Sequence, residues 1–378
     1  MMVIEKKEEK LGEKLSIHDL LHWIIKENAS DLHCTVGVPP SIRKDGILKR
    51  LNLPILQTQD IIEYAEKLIQ GHDGWEIKVR QDYDLAYTLS NVGRFRVNIY
   101  WQRNSPVIAC RHLMEHMPTL EELGLPAIIE KYALTRQGLI LVTGPTSHGK
   151  TTSLAAMINL INEQKENNII TLEDPIEYIH QHRKCNINQR EVGTDCETFA
   201  HGLRRILRQD PDVIMIGEMR DLDSISIAVT AAETGHLVFS TLHTNSAISS
   251  INRIVDAFPA EQQNQIRTQL ADSLLMILSQ RLIPGTDDYG RVLAYELLIN
   301  SVAIQNAIRD KKAHTVDSII QTSSEQGMIT FDQSLADLCA QRKITYDTGL
   351  AYAHSQKLFQ DLLRNRGIGQ PYSMGHAI

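Results

Sequence analysis

No apolar stretch of this chain approaches the ~20 residues needed to cross a bilayer, so no membrane-inserted segment is expected. Its five cysteines, Cys34, Cys110, Cys185, Cys196 and Cys339, include no C-x-x-C pair, which argues against both a zinc ribbon and a disulfide framework. Reduced, mostly buried thiols are the expectation. A basic surplus is missing too: the net charge is −7, whereas holding nucleic acid requires a concentrated basic surface, so nucleic acid is not expected as a partner. Neither an internal repeat nor a low-complexity segment is visible. The Glu- and Lys-rich opening, Met1 to Lys14, has no apolar segment behind it and is not Arg-rich, so it matches neither a secretory signal nor a transit peptide. Residues 1–15 read as a charged, solvated tail.

What is present describes a folded protein: 378 residues, 42% hydrophobic and 22% charged, a length that at ~150 residues per domain predicts two domains. Residues 16–116 alternate short helical and strand patterns. Ser16 to Glu27 predicts a helix with a serine start and Ile17, Leu20, Leu21, Ile24 and Ile25 inward. Leu85–Leu89 and Arg94–Tyr100 predict strands around an Asn91-Val92-Gly93 turn, giving a small α+β domain. Residues 117–378 form the larger unit, with a linker around Met114–Pro126. In it, apolar runs at 139–143, 169–172, 213–216 and 237–241 alternate with helical patterns, as a mainly parallel sheet with covered faces requires. From Ala260 onward the pattern reads as almost wholly helical, with Ile266, Leu270, Leu274 and Leu278 on one stripe and another helix at Phe331–Leu338.

Gly144-Pro145-Thr146-Ser147-His148-Gly149-Lys150-Thr151, followed by Thr152, is a complete G-x-x-x-x-G-K-[ST] loop between the strand 139–143 and a helical pattern bearing Leu154, Ile158 and Ile161. Glycines there let backbone N–H groups turn inward around phosphates, and the helix points its positive end at them. Lys150 is the candidate for the β- and γ-phosphates and Thr151 for Mg²⁺. Strand before and helix after make a chance glycine loop the weaker reading.

Hydrolysis of a bound nucleotide also needs a carboxylate near the metal, a group to orient water, and positive charge for the transition state. The apolar strand Val213–Ile216 runs into Gly217-Glu218, which places Glu218 at the carboxyl edge of the sheet, with Arg220 and Asp221 on the same tip. Glu173, Asp174 and Glu177 follow another strand around Pro175, as a general base or as a plain acidic turn. His236 and His243 bracket the strand 237–241, either as contacts for the γ-phosphate or a carboxylate or as packing residues. Arg94, Arg96, Arg103 and Arg111 of the first domain are either arginine fingers or a solvated strand face.

Four boxes in this order, GPTSHGKTT, TLEDPIEY, DPDVIMIGEMRD and AETGHLVFSTLHTNSA, resemble the secretion ATPases of type II secretion and type IV pili, above all the PilT-type pilus retraction motors. Ala29–His33 and Gly93–Asn98 are similar to that family's PAS-like domain, and Met117–Leu120 to its linker. The resemblance implies a RecA-like ATPase domain behind a PAS-like one, ATP and Mg²⁺ as ligands, Glu177 as general base, Glu218 as the Walker B carboxylate, and Arg94, Arg96 and Arg103 as the arginines that approach the nucleotide. It further implies a homo-hexamer in the cytoplasm, peripheral at the inner face of the cell membrane, working on a platform protein there and with a possible second pilus ATPase. Its function would be pilus retraction and twitching motility; the alternatives are a secretion, DNA-uptake or conjugation ATPase, or a weakly hydrolysing accessory subunit.

Two departures stand out. Ala303–Asp310 reads AIQNAIRD against the retraction signature, with Gln305 in place of an arginine, and Ser147-His148 stands where the family usually has Gly-Ser. An imidazole beside phosphates is expected to titrate near neutrality, because an anion favours imidazolium.

Overall fold

The computed structural model describes residues 15–44, 47–70, 76–78, 81–90, 92–113, 117–286, 289–312 and 315–367. The charged tail up to Lys14, Asn91 of the expected turn and residues 114–116 of the linker lie outside these. The chain divides into two compact units, Met1–His116 with Pro175–Ile179, and Met117–Asp174 with His180–Ile378.

The first unit is an antiparallel sheet of six strands, β1 Asp31–Thr35, β2 Ser41–Lys44, β3 Ile47–Arg50, β4 Tyr83–Leu89, β5 Gly93–Gln102 and β6 Ser105–Leu113, in the order β3-β2-β1-β6-β5-β4. Its first helix, Ile17–Lys26, starts at Ser16 through a reciprocal capping box: the Asp19 N–H donates to Ser16 Oγ at 3.2 Å, and the Ser16 N–H to Asp19 Oδ2 at 3.1 Å. Ile17, Leu20, Leu21 and Ile24 join Phe95, Val97 and Ile99 of β5 in one buried cluster. Period two along β5 puts Arg94 and Arg96 on its other face. Arg103 and Asn104, at φ 46° and 59°, make the two-residue left-handed turn into β6.

The second unit carries seven strands, β7 Gly138–Thr143, β8 Asn168–Glu173, β9 Asn186–Glu191, β10 Val213–Ile216, β11 Leu237–Leu242, β12 Leu274–Pro284 and β13 Arg291–Ile299, ordered β13-β12-β7-β11-β10-β8-β9. All neighbours are parallel except the β12/β13 hairpin. Every residue of β7, β10 and β11 is buried, so continuous apolar runs rather than alternation encode them. The parallel-rich α/β fold expected from the sequence is what forms.

The C-terminal third departs from expectation. The helix Gln263–Ser273 ends where β12 begins, so Leu274 and Leu278 leave the helical stripe that Ile266 and Leu270 keep. Five consecutive apolar residues, Leu274 to Leu278, enter the sheet beside β7, where both faces are covered; burial there overrides the four-residue spacing. β12 and β13 run on to a separate small core in which Ile283, Val292 and Ala294 meet Phe331, Leu335 and Phe359.

Glu296 on β13 is 3% exposed and accepts the Ala247 N–H at 2.7 Å, at the start of the helix Ala247–Asp256. Burial lifts its carboxyl from 4.5 to about 7; Asp317 and Asp332 add to the rise and the Ala247 bond opposes it. A raised carboxyl favours the folded state below its unfolded value and loses that stability as pH climbs through about 7. From pH 5 to 8 the chain is therefore expected to lose about 2–3 kcal/mol that Glu296→Gln does not lose, by denaturant unfolding of both proteins at the two pH values.

Candidate nucleotide site

β7 delivers the chain into the loop 144–149 at the carboxyl edge of the sheet, and the helix Lys150–Gln164 follows at once. Gly144 sits at φ 140°, where an added Cβ would stand 2.2 Å from the Gln280 carbonyl oxygen, and Gly149 at φ 81°. Only glycine fits the first position, and the second favours it. Lys150, 8% exposed, donates from Nζ to the Gly144 and Pro145 carbonyls, each at 2.9 Å, so its ammonium spans the loop. Thr151 and Thr152 open the helix behind it, half-buried.

Neighbouring strand ends add three groups. His243, just past β11, approaches Glu218 Oε1 with Nε2 at 3.1 Å and Thr146 Oγ1 with Nδ1 at 3.4 Å. A carboxylate only accepts, so a ring hydrogen on Nε2 faces Glu218. Glu218, just past β10, also accepts from Arg220 Nε at 2.9 Å, and Arg220 Nη1 lies 3.8 Å from Asp174 beyond β8. The Glu218 hydrogen bond, its charge and Asp174 raise the Arg220 pKa. Asp221, expected to crowd the same tip, instead caps the helix Leu222–Glu233 by accepting the Ser224 N–H at 2.8 Å. Glu173 is buried at the end of β8, accepting from Thr171 Oγ1 at 2.7 Å and Gln189 Nε2 at 3.1 Å.

One candidate falls elsewhere. His236 precedes β11 at the amino edge, opposite the loop, and its Nδ1 lies 3.0 Å from the Ala231 carbonyl. A six-residue strand separates it from His243, roughly 20 Å at ~3.3 Å per residue, so the two histidines do not share a site within one chain. Glu177 lies on the Pro175–Ile179 segment grouped with the first unit, half-buried. Arg94, Arg96 and Arg103 belong to the first unit; Arg96 grips Asp84 with Nε at 3.3 Å and Nη2 at 2.7 Å.

With no phosphate beside it, His148 faces the sheet. Its Nδ1 accepts the Leu282 N–H at 2.9 Å, a bond open only to the form unprotonated there. Burial first, then the charges of Arg291, Arg281 and Lys150, push its pKa below the ordinary 6.5 rather than up. Sequence reasoning also missed Arg220 as the partner of Glu218, and Gln280; the apolar run that precedes Gln280, continuous and followed by Pro284, was the available signal for a strand.

The Thr151 hydroxyl and the Glu218 carboxylate are hard oxygen donors, the set Mg²⁺ takes. Among the described residues no cluster of three or more His, Cys, Asp or Glu could hold a metal, so an ion here would draw its other ligands from phosphates and water, as Mg²⁺ characteristically does.

Ser147 occupies φ 64°, left-handed backbone that strains a residue bearing Cβ. Ser147→Gly is expected to raise the unfolding free energy by about 0.5–1 kcal/mol, since relief of strain outweighs the entropy glycine adds to the unfolded chain. Denaturant unfolding of the two proteins at one pH measures it.

The family model described as "Type II/IV secretion system protein" matches residues 5–345. The chain is 43% identical over 331 residues to the type IV pilus retractation ATPase PilT of Pseudomonas aeruginosa, covering 88% of this chain and 96% of that one. It is 40% identical over 341 residues to the type IV pilus ATPase PilU of the same organism, covering 90% and 89%. A crystal structure of the pilus retraction motor PilT with bound ADP superposes with a TM-score of 0.85 at 44% identity, covering 91% of this chain and 99% of that one. A glycine-turned loop with its lysine, set beside strand ends that bear His243 and Glu218, is thus joined by likeness over nearly the whole length: the chain belongs to the type II/IV secretion system protein family, among its PilT-type pilus retraction ATPases.

Proposed function

We propose that this chain is a Mg²⁺-dependent ATPase motor that powers retraction of a type IV pilus, and with it twitching motility. The observation that carries the reading is the convergence of Lys150, Thr146, Glu218 and His243 at the carboxyl ends of β7, β10 and β11. The retractation ATPase PilT of Pseudomonas aeruginosa and a twitching motility protein of Neisseria gonorrhoeae, 44% identical over 302 residues, support the biological role. The ADP bound in the PilT crystal structure supports the ligand.

Backbone N–H groups of Gly144–Gly149 and the first turn of the following helix receive the phosphates, and Lys150 turns its ammonium from the loop carbonyls to the β- and γ-oxygens. Thr151 and Glu218 would hold Mg²⁺, which would supply positive charge against the phosphates. Glu177 takes the proton of the attacking water as the water oxygen bonds to the γ-phosphorus and the bond from that phosphorus to the β-phosphate oxygen breaks, so that ADP and inorganic phosphate leave. His243, hydrogen-bonded between Thr146 and Glu218, orients the carboxylate towards the loop, and Arg94, Arg96 and Arg103 of the first unit meet the charge that develops on the γ-phosphoryl group.

Acids and arginines on separate compact units must converge on one nucleotide, so each turnover repositions those units and converts chemistry into movement. The working assembly is a homo-hexamer in the cytoplasm, pressing on an inner-membrane pilus platform protein and sharing it with a second pilus ATPase. Among the described residues no helix is long and apolar enough to cross a membrane, so attachment would be peripheral.

Steady-state ATP hydrolysis by the purified chain, with size-exclusion light scattering on the same samples, tests the reading. Lys150→Ala and Glu177→Ala are each expected to lower kcat at least ~10²-fold with assembly intact. Absence of turnover from a correctly assembled native ring would favour the accessory-subunit reading, and full turnover in Glu177→Ala would move the base to Glu173 or Glu218.

A further inference from the structure

β12 grips the phosphate loop with groups that belong to none of the four sequence boxes. Gln280, 2% exposed, donates from Nε2 to the His148 carbonyl at 2.8 Å and accepts at Oε1 from Ser153 Oγ at 3.0 Å. A carbonyl can only accept, so the amide nitrogen must face His148, and the oxygen is left for the serine hydroxyl. The main-chain carbonyl of Gln280 stands 2.2 Å from the Cβ position of Gly144, and its Nε2 stands 3.3 Å from that of Gly149. Two residues farther on, the Leu282 N–H donates to His148 Nδ1 at 2.9 Å. One strand thus meets the loop at its entry, at its last turn and at the helix behind it.

We propose that Gln280 is a positioning residue of the nucleotide site: from β12 it holds the phosphate loop in the curve that receives phosphates, with the His148 ring as a second anchor. The proposal rests on the reading of this loop as the ATP site. Backbone N–H groups turned towards a common centre repel one another, so a free loop relaxes towards other conformations. Apparent affinity falls in proportion to the time the loop spends competent, and a buried amide that ties two points of the loop to a rigid strand keeps that fraction near one. Ser147, strained at φ 64° within the same turn, adds to what the amide must hold.

Gln280→Met keeps the length and apolar bulk of the side chain and removes both hydrogen bonds. On the full chain, the Kd for ADP by calorimetric titration and the KM for ATP are expected to rise about tenfold, while kcat changes less than threefold, because the loop is re-formed once nucleotide is bound. Ser153→Ala removes one of the two bonds and keeps the helix, so about threefold is expected there. A lowered Tm in Gln280→Met with unchanged Kd and KM would mark Gln280 as mere core packing and overturn the proposal. If Gln280→Met fails to fold, Ser153→Ala decides in its place, and an unchanged Kd for ADP overturns the proposal. Wild-type protein that binds no ADP would remove the nucleotide reading and this proposal together, whereas wild-type binding with unaffected variants removes only this one.

Discussion

Burial of parallel strands on both faces is the constraint from which the rest of the larger unit follows. β7, β10 and β11 expose nothing along their length, so no polar chemistry can be placed on them; it can only be placed where they stop. All run the same way, and their carboxyl ends therefore gather the phosphate loop, Glu218 and His243 on one edge of the sheet. The contact of Glu218 with His243 is a consequence of register: Ile216 lies beside Ser240, so residues two or three beyond each emerge together, while Arg220 reaches Glu218 from two residues farther along the same segment.

The β12–β13 hairpin extends that logic to the C-terminal region. Thr143 and Ser279, paired in register, share a hydrogen bond of 2.8 Å at the point where β7 leaves the sheet and β12 continues. Beyond it β12 supplies Gln280 and Leu282 to the loop, while β13 supplies Glu296 to the helix that starts at Ala247, shortly after His243. The same hairpin then enters the small core around Phe331, with Arg281 over that ring at 5.5 Å. One two-stranded element therefore supports both loops of the site and joins them to the C-terminal helices.

What was legible in the sequence is what a single physical period encodes. Continuous apolar runs gave β7, β8, β10 and β11, the serine start gave the first helix, and the glycine spacing gave the loop. β12 was hidden because Ile266, Leu270, Leu274 and Leu278 keep helical spacing across a junction at which the helix ends, and β9, Asn-Ile-Asn-Gln-Arg-Glu, because an edge strand carries little apolar signal. The two histidines looked equivalent by motif, yet strand rise alone sets them on opposite edges. Contacts such as Gln280 with His148 have no local signature, since each partner is ordinary in its own neighbourhood.

That last contact spans 132 residues of chain. Closing so long a loop carries an entropic cost, and the phosphate loop has its second wall only where β12 is paired with β7. During synthesis the complete nucleotide motif emerges from the ribosome well before the strand that shapes it. A nascent or truncated chain ending short of Gln280 would carry the whole motif without the strand that lies against it.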